Sequence, residues 1–548
     1  MPRTCHYMRP KRSAGAGVSV SRPDVAVSNT LAPEEDPSVY TLEGGLRVTV
    51  DRTWQLEVPC TINDEASHRF VEMTNPHNQC GPLFAEQVPV VTGEDFASLM
   101  AAFNKRCNTV HTDDVEDDEF KLALEFINNI QCDMLPWDEN PEDRRAWEQK
   151  FAPEKVTRMR EAMGTVDQAT YSYLGTKDLS VKKEVLLKRN DPEWAARVIY
   201  AGNDTFNAMT GPAMVECMRR TNEVFAHQRL GPVEYRTAYK QTDIELVNWI
   251  ERDTVEYPHT AEGDYSANDK HQRERVHILF DTWMAKLKMP QWLRTIFIAN
   301  NKFLVRSYKM GLVAKLANQL PTGTTATTPR NTVYNALMFS VSCQQQGVRG
   351  RALVLGDDLL ARTSKPLNLL EWRQCVARFK MVLKAKSPQM NGQATFLSRR
   401  LLTNLEYPCM VPLLGKALAR FNARAIYKED KTHSQYMAGK SLSYAYEFRH
   451  VPFLRDFFLT RYTMEDKTNM TLDELSWNTK VLGIDLSSIV QAIKDEKVLV
   501  GDDDFLDWSM ETYDLGLVDL EEVFDMIVLS DKPEMVTHPA VAKLAIDW

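Results

Sequence analysis

The sequence predicts a mixed α+β fold with a helical last third. Apolar and polar residues alternate in "GLRVTVDRTWQLEV" (45–58), which is typical of strands. The apolar runs "RALVL" and "LLART" flank a tight Gly356-Asp357-Asp358 turn, as the two strands of a hairpin would. Helical periodicity dominates from about residue 92 to 170, and helices are predicted from residue 368 to the C-terminus, the first of them near 368–383.

The composition is that of a globular protein large enough for several domains. The chain has 548 residues, 43% of them hydrophobic and 26% charged. We expect no transmembrane segment and no signal peptide, because no apolar stretch approaches the roughly 18–20 residues of a membrane span. The nine cysteines form no C-x-x-C pair, which suits a reducing compartment. Residues 1–40 hold few large apolar side chains and are predicted to form a mobile tail.

Charge is strongly segregated along the chain, although the net charge is only −9. The stretches 113–119 ("DDVEDDE") and 495–535 are acidic. Between residues 372 and 424 the sequence is basic, with Arg373, Arg378, Lys380, Lys384, Lys386, Arg399, Arg400, Lys416, Arg420 and Arg424. A groove for a polyanion would have this pattern, and so would a solvated helix face.

Two adjacent carboxylates at a hairpin tip need an explanation, because like charges repel unless something neutralises them. Asp357 and Asp358 could simply be solvated, since Gly and Asp favour turns. A second copy of the pattern, Gly501-Asp502-Asp503 in "KVLVGDDDFLDW", gives that interpretation weight. The tripeptide alone therefore does not indicate a function.

The residues around the first hairpin form an ordered set of polar motifs. In chain order these are the basic residues Lys183, Lys188, Arg189 and Arg197, the pair Asp264 and Asp269 at a predicted strand end, the series Gly323, Thr327 and Asn331 before an apolar helix, and Gly356-Asp357-Asp358. Nothing comparable precedes the second copy at 501–503, which lies in an acidic region. We therefore predict that the second copy is a surface turn.

This ordered set resembles the motifs of RNA-dependent RNA polymerases of positive-strand RNA viruses, most closely the tombusvirus and nodavirus type. The matching patterns are K-x-E…R-x-I, D-x4-D, G-x3-T-x3-N and GDD, and they cover roughly residues 170–405. Thr322 stands where the family usually has Ser, which keeps the hydroxyl. Any one motif is weak evidence, whereas four in order are strong evidence.

The resemblance implies a right-hand fold, with an antiparallel palm sheet backed by helices between fingers and thumb. The implied layout is a tail (1–40), an N-terminal extension with fingers (41–255), a first palm part (256–300), a fingers insertion (301–322), a second palm part (323–402), and a thumb with an acidic C-terminal region (403–548).

The resemblance also implies a catalytic centre. Asp264 and Asp357, assisted by Asp358, would bind two Mg²⁺ ions, with Mn²⁺ as a substitute. Hard divalent cations prefer carboxylate oxygens, and two of them can stabilise both the attacking and the leaving oxygen of phosphoryl transfer. Lys386 would protonate the departing pyrophosphate as general acid, with Lys384 as its competitor.

The remaining motif residues would bind substrates. Asp269 and Asn331 would recognise the ribose 2′-hydroxyl, within the motif that Gly323 and Thr327 share, although Asn331 could also cap the following helix. The triphosphate would be bound by Arg197 and Lys183, since a guanidinium makes forked phosphate contacts. RNA itself would be contacted by Lys188, Arg189, Arg399 and Arg400.

We therefore expect an RNA-dependent RNA polymerase that replicates a viral RNA genome. Its partners would be the RNA template, the nascent strand, NTPs and other viral replication proteins. It would act in the host cell cytoplasm, at replication membranes through those partners. A reverse transcriptase shares the metal-binding palm, but Asp269 and Asn331 favour ribonucleotides. A non-catalytic RNA-binding replication subunit is the third alternative, against which the intact aspartates argue.

Overall fold

The computed structural model describes residues 78–91, 96–187, 196–308, 311–425, 432–468 and 489–548, with residue 470 and short segments before residue 63. Most of the predicted tail (1–40) lies outside the described residues. So do Lys188 and Arg189, two of the predicted RNA contacts.

Strands are numbered in chain order. They are β1 Val18–Val20, β2 Ala26–Ser28, β3 Val39–Leu42, β4 Leu46–Thr49, β5 Thr53–Gln55, β6 Cys60–Ile62, β7 Leu83–Phe84, β8 Val90–Val91, β9 Thr176–Val181, β10 Val185–Leu186, β11 Val198–Gly202, β12 Val233–Thr237, β13 His259–Tyr265, β14 Lys302–Ser307, β15 Leu312–Ala317, β16 Gly350–Leu355, β17 Asp358–Thr363, β18 Leu383–Lys386, β19 Thr395–Phe396, β20 Arg399–Leu402, β21 Cys409–Pro412 and β22 Met535–Val536. The strands predicted in 45–58 are confirmed as β4 and β5.

Helices are numbered in the same way. They are α1 Phe96–Arg106, α2 Asp117–Asn129, α3 Pro141–Glu148, α4 Pro153–Met163, α5 Tyr171–Leu174, α6 Asp204–His227, α7 Asp243–Glu251, α8 Asn268–His271, α9 Glu274–Lys286, α10 Gln291–Ala299, α11 Thr327–Gln345, α12 Leu369–Arg378, α13 Met390–Gln393, α14 Leu414–Phe421, α15 His433–Glu447, α16 Pro452–Met464, α17 Ile489–Asp495, α18 Asp502–Tyr513, α19 Leu517–Phe524 and α20 Pro539–Leu544. Helices α1 to α4 confirm the predicted helical stretch. The helix predicted near 368–383 ends earlier, at Arg378, and Lys380 follows with a φ of 65°.

A five-stranded central sheet has the order β12-β16-β17-β13-β18. The pairs β16–β17, β17–β13 and β13–β18 are antiparallel, as predicted. The pair β12–β16 is parallel, which the sequence did not predict. Parallel neighbours need a long crossover, and more than 100 residues separate β12 from β16 in the chain.

Helix α11 is buried along nearly its whole length against the central sheet. Pro329 to Cys343 are all buried. Phe339 meets the ring of Trp372 edge-on at 5.2 Å between centroids, which fixes α12 on the outer side of α11. A helix buried on all sides needs partners for its polar side chains, and for Thr332 and Asn335 those partners lie at the hairpin between β16 and β17.

A six-stranded sheet of order β1-β6-β15-β14-β9-β11 adjoins this core. The hairpin β14–β15, from the predicted insertion, pairs through β14 with β9 in a parallel register. Strand β11 pairs antiparallel with β9. Strands β14 and β15 therefore share one sheet with β9 and β11, although β14 begins 100 residues after the end of β11.

The C-terminal third is helical, as predicted, and has its own aromatic core. Phe458 lies 5.1 Å from Phe421 and 5.8 Å from Phe524, measured between ring centroids. A small sheet of order β19-β20-β21 lies between this core and the central sheet. Phe396 on β19 packs in the same apolar cluster as Leu353 and Leu360 of the central sheet.

The second Gly-Asp-Asp sequence was predicted to be a surface turn. Asp502 and Asp503 do lie on the surface, but the segment begins a helix instead of forming a turn. Gly501 is the N-cap of α18, and Asp502, Asp503 and Asp504 form its first turn. Carboxylates are favoured there because the helix dipole is positive at its N-terminus. Phe505, on the following turn, is fully buried in the C-terminal core.

Candidate active site

The Gly356-Asp357 pair forms a two-residue turn between β16 and β17. Leu355 pairs with Asp358 across the hairpin, so only Gly356 and Asp357 lie in the loop. Gly356 has a φ of 63°, and a glycine in that conformation at the first loop position is typical of a type II′ hairpin. The predicted hairpin is confirmed, and its turn presents Asp357 to solvent.

Asp264 lies at the end of β13, beside this turn. Gly263 pairs with Leu359, so the antiparallel register continued by one residue places Asp264 opposite Asp358. Burial raises the pKa of Asp358 to about 7, and repulsion from Asp357 and Asp264 adds to the shift. Although Asp357 is exposed at the turn, the surrounding protein removes part of the hydration of its carboxyl, which raises its pKa, with further contributions from Asp269 and Asp264. The structure therefore brings the predicted carboxylates into one interacting cluster.

Two buried side chains of helix α11 form hydrogen bonds with the backbone of the hairpin turn. Thr332 Oγ1 accepts a hydrogen bond of 2.8 Å from the backbone N–H of Gly356. Asn335 Nδ2 donates to the carbonyl oxygens of Gly356 and Asp358, at 3.3 Å each. Both side chains are fully buried. The sequence analysis missed them, although Asn335 lies four residues after Asn331 and so occupies the same helix face.

Asp269 and Asn331 are in contact, as their predicted common role requires. Asn331 Nδ2 donates to Asp269 Oδ1 at 3.2 Å, and the hydroxyl of Thr322 donates to Asp269 Oδ2. Burial raises the pKa of Asp269. The alternative that Asn331 caps the helix is wrong, because α11 begins four residues earlier, at Thr327, after the N-cap Ala326.

The loop before α11 is fixed by Gly323 and Thr327. Gly323 has a φ of 94°, and a Cβ there would lie 3.1 Å from the Ile199 side chain. Thr327 Oγ1 accepts a hydrogen bond from the Gly323 N–H at 3.2 Å. The neighbouring Thr322 carbonyl accepts from the Tyr200 N–H at 2.9 Å. This loop is therefore bonded to β11, which begins one residue after Arg197.

Arg197 lies near the carboxylate cluster. Its Nε donates to Glu184 Oε1 at 2.7 Å, and this hydrogen bond raises the pKa of Arg197. The charges of Asp357 and Asp269 act on Arg197 in the same direction, although burial opposes them. Lys183, beside Glu184, is exposed.

One basic residue near the site was missed by the sequence analysis. Arg106, at the end of α1, interacts electrostatically with Asp269 and Arg197, and burial lowers its pKa. Its Nε is buried and has no hydrogen-bond partner among the described residues. Arg106 belongs to none of the motifs, so only the fold reveals it.

The two candidate general acids lie on β18. Lys384 and Lys386 are exposed and Ala385 between them is buried, because successive side chains of a strand point to opposite faces. Lys384 pairs with Asp264 and Lys386 pairs with Glu262, so Lys384 is the closer to the carboxylate cluster. Burial raises the pKa of Glu262, and the charge of Lys386 opposes that shift.

The structure gives Arg399 and Arg400 a different role from the RNA contact predicted for them. Arg400 is 8% exposed, and it donates to Asp547 Oδ1 at 2.6 Å and to the Gly392 carbonyl at 3.1 Å. Arg399 is paired with Asp243 and Glu447. Both guanidinium groups are thus neutralised within the fold, and Arg400 is buried.

The acidic stretch 113–119 pairs with two further residues of the basic region. Arg378 is paired with Glu119, and Lys380 lies 3.4 Å from Glu116 and 3.7 Å from Asp113. The acidic stretch 113–119 and the basic stretch 372–424 of the sequence therefore form ion pairs with each other in part. Lys416 lies close enough to Asp358 to lower its pKa.

The donor set fits magnesium better than a metal with a preformed cage. Across the described ranges, no three His, Cys, Asp or Glu side chains are arranged to hold a metal ion. Mg²⁺ is usually bound by one or two carboxylates, with water and substrate phosphates completing the shell. Asp264, Asp357 and Asp358 supply such carboxylates without forming a closed site, and a cation would relieve the repulsion that Asp357 and Asp264 exert on Asp358.

The structure thus brings carboxylates from adjacent strands together at one end of the central sheet. A family model described as RNA dependent RNA polymerase matches residues 50–476. The chain belongs to this family, and it is an RNA-dependent RNA polymerase of the positive-strand RNA virus type. No curated protein matched the chain. In the part of the chain that the structure describes, no helix is both long and apolar enough to cross a membrane.

Proposed function

We propose that Asp264, Asp357 and Asp358 form the catalytic centre at which this polymerase joins nucleotides to RNA. The observation that carries the proposal is the register of β13 against β17, which places Asp264 beside the Gly356-Asp357 turn. Burial and neighbouring carboxylates raise the pKa of both Asp357 and Asp358, so their ionised forms are costly to the fold unless a cation binds there.

The three aspartates would hold two Mg²⁺ ions, for which Mn²⁺ could substitute. When bound, the ions supply positive charge to the attacking 3′-hydroxyl and to the leaving pyrophosphate. Arg197 and Lys183 would bind the triphosphate, and Arg106 adds a third positive charge near the same place.

Substrate selection would rest on Asp269 and Asn331. A 2′-hydroxyl both donates and accepts, so it can bond the carboxylate and the amide at once. Their direct contact at 3.2 Å shows that the two groups are close enough to share one hydroxyl. Gly323 and Thr327 would fix the loop from which the Thr322 hydroxyl donates its hydrogen bond to Asp269.

A lysine of β18 would donate the proton to pyrophosphate. The sequence favours Lys386, whereas the register favours Lys384 because it lies opposite Asp264. We place Lys384 first, with Lys386 as the alternative. General acids must lie within reach of the group they protonate, and geometry is therefore the stronger criterion.

The sheets support a right-hand layout. The central sheet with α11 and α12 would be the palm, and the six-stranded sheet that receives residues 301–322 would belong to the fingers. The helices after residue 413 would form the thumb. In this layout β12 joins the palm from within the segment 41–255, and β21 joins β20 from the segment 403–548.

The polymerase would copy a viral RNA genome in the host cell cytoplasm, with other viral replication proteins providing any attachment to membranes. The subgroup similar to tombusviruses and nodaviruses rests only on the sequence motifs. Template and nascent RNA would lie beside Asp264 and Lys416.

Primer extension separates the proposed activity from its alternatives. The purified chain is given primed poly(C), Mg²⁺ and either GTP or dGTP. We expect extension with GTP and little with dGTP. Equal or better use of dGTP would indicate a reverse transcriptase, and no extension with either nucleotide would indicate a non-catalytic RNA-binding subunit.

A further inference from the structure

A buried glutamine outside the sequence motifs contacts the proposed sugar-binding pair. Gln272 follows α8 directly and is fully buried. Its Nε2 donates to Asn331 Oδ1 at 2.6 Å and to Asn268 Oδ1 at 3.2 Å. The side chain therefore lies on the far side of Asn331 from Asp269.

The direction of these hydrogen bonds is set by the carboxylate. An ionised Asp269 can only accept, so Asn331 must turn its Nδ2 toward Asp269 and its Oδ1 away. Oδ1 then needs a donor, and Gln272 Nε2 supplies it. The chain of bonds has a single polarity that runs from Gln272 through Asn331 to Asp269.

This arrangement leaves two buried polar atoms without hydrogen-bond partners among the described residues. Gln272 Oε1 is buried, and no group among the described residues donates to it. Asn268 Nδ2 is also buried, and no described group accepts a hydrogen bond from it. A glutamine whose only role was packing could be replaced by an apolar residue of the same size without leaving such a group unsatisfied. The donor end of Gln272 is what the site uses.

We infer that Gln272 is a positioning residue for sugar selection, which holds Asn331 with its N–H₂ group presented to the 2′-hydroxyl. This inference rests on the proposed sugar role of Asp269 and Asn331. With Asn331 so oriented, the site offers one donor and one acceptor, which matches a hydroxyl. If Asn331 were inverted, the site would offer two acceptors, and the 2′-hydroxyl would leave one of them unpaired.

The test replaces Gln272 by Glu, which has nearly the same shape but cannot donate when ionised. The kcat/KM for GTP and for dGTP are measured separately on primed poly(C) with Mg²⁺. We expect the value for GTP to fall roughly five- to tenfold, about the effect of one hydrogen bond, and the value for dGTP to change little. Gln272→Met, which keeps the volume and is uncharged, should do the same.

The matched control is Gln87→Glu. Gln87 is also a buried glutamine whose Nε2 donates, but its acceptor is the Leu187 carbonyl rather than a residue of the site. This control should leave the ratio of the two kcat/KM values as in the wild type. Equal losses for GTP and dGTP in both Gln272 variants would overturn the inference, since a general loss of structure acts on both substrates.

A double variant separates the inference from the proposed function on which it rests. If Asn331→Ala itself leaves the GTP preference unchanged, the sugar role of Asn331 is wrong. If Asn331→Ala lowers the preference and Gln272→Met lowers it no further in that background, Gln272 acts through Asn331. A further GTP-specific loss in the double variant would contradict positioning through Asn331.

Discussion

The hydroxyl of Tyr265 donates a hydrogen bond of 2.9 Å to Asn335 Oδ1, and both side chains are buried. Tyr265 is the residue after Asp264, whereas Asn335 holds the backbone of the Gly356-Asp357 turn. This bond therefore ties the strand that carries one carboxylate to the hairpin that carries the other two. Activity should depend on it more than stability does.

Tyr265→Phe removes only the hydroxyl. We expect a loss of about 1–3 kcal/mol in the free energy of unfolding, because Asn335 Oδ1 loses its donor, and a clear fall in the rate of nucleotide addition. Tyr235→Phe is the control. Tyr235 also bonds α11, through the Ala336 carbonyl at 2.7 Å, but not the turn. Denaturant unfolding and primer extension are compared; equal activity losses in both variants would contradict the role of Tyr265.

Arg400→Met should destabilise the protein without weakening its RNA binding. The change leaves Asp547 without its buried cationic partner, although Tyr513 and the Gly415 N–H still bond it. Removing one partner of a buried pair costs about 3–5 kcal/mol. Melting temperature and the salt dependence of RNA affinity are measured together. A flatter salt slope at unchanged stability would restore the predicted RNA contact.

The buried side chain of Lys177 should make the stability of the protein depend on pH. The side chain is fully buried, with its Nζ 2.8 Å from the Leu174 carbonyl and 3.4 Å from the centroid of the Phe206 ring. Burial lowers its pKa from 10.5 to about 7. Between those two values the unfolded chain binds more protons than the folded one, so stability rises with pH across this window.

Lys177→Met should remove the pH dependence of stability that this buried lysine causes. The variant is expected to be the more stable protein at pH 6–7, by up to about 4 kcal/mol, and its stability should change less between pH 7 and 10. Lys302→Met, on an exposed position of a neighbouring strand, should leave the pH profile unchanged. Identical profiles for wild type and Lys177→Met would show that burial does not lower the pKa of Lys177 and would contradict this prediction.

Lys384→Leu and Lys386→Leu distinguish the two candidate acids. Loss of a general acid typically slows a reaction by roughly 10²–10⁴-fold, so the true acid should be evident in single-turnover incorporation. We expect the larger loss for Lys384, with Lys384→His retaining partial activity at a lower optimal pH. If only Lys386→Leu is slow, the acid is Lys386. If neither is slow, both lysines lie outside the chemical step.

Local sequence signals predicted local structure well. Asn140 followed by Pro141 is a typical sequence for the start of a helix, and the Asn140 side chain accepts from the Asp143 N–H at 2.8 Å. The turn at Gly356 is equally local. Each needs only a few neighbouring residues, whose conformational preferences and hydrogen bonds decide the outcome.

Long-range pairings could not be predicted in the same way. Arg400 and Asp547 are 147 residues apart, and the sequence shows only that one lies in a basic stretch and the other near the C-terminus. The parallel pairing of β12 with β16 has no local signal either. The partner of a basic residue depends on the fold. For that reason Arg399 and Arg400 were predicted to contact RNA, whereas they form ion pairs within the protein.

The most direct test of the account is the rate of single-nucleotide incorporation by Asp357→Asn beside Asp502→Asn. Both aspartates follow a glycine in the same tripeptide, but only Asp357 lies in the carboxylate cluster. We expect Asp357→Asn to slow incorporation at least roughly 100-fold with melting temperature and RNA affinity retained, and Asp502→Asn to act like wild type. An Asp357→Asn rate within about tenfold of wild type would contradict the proposed catalytic centre.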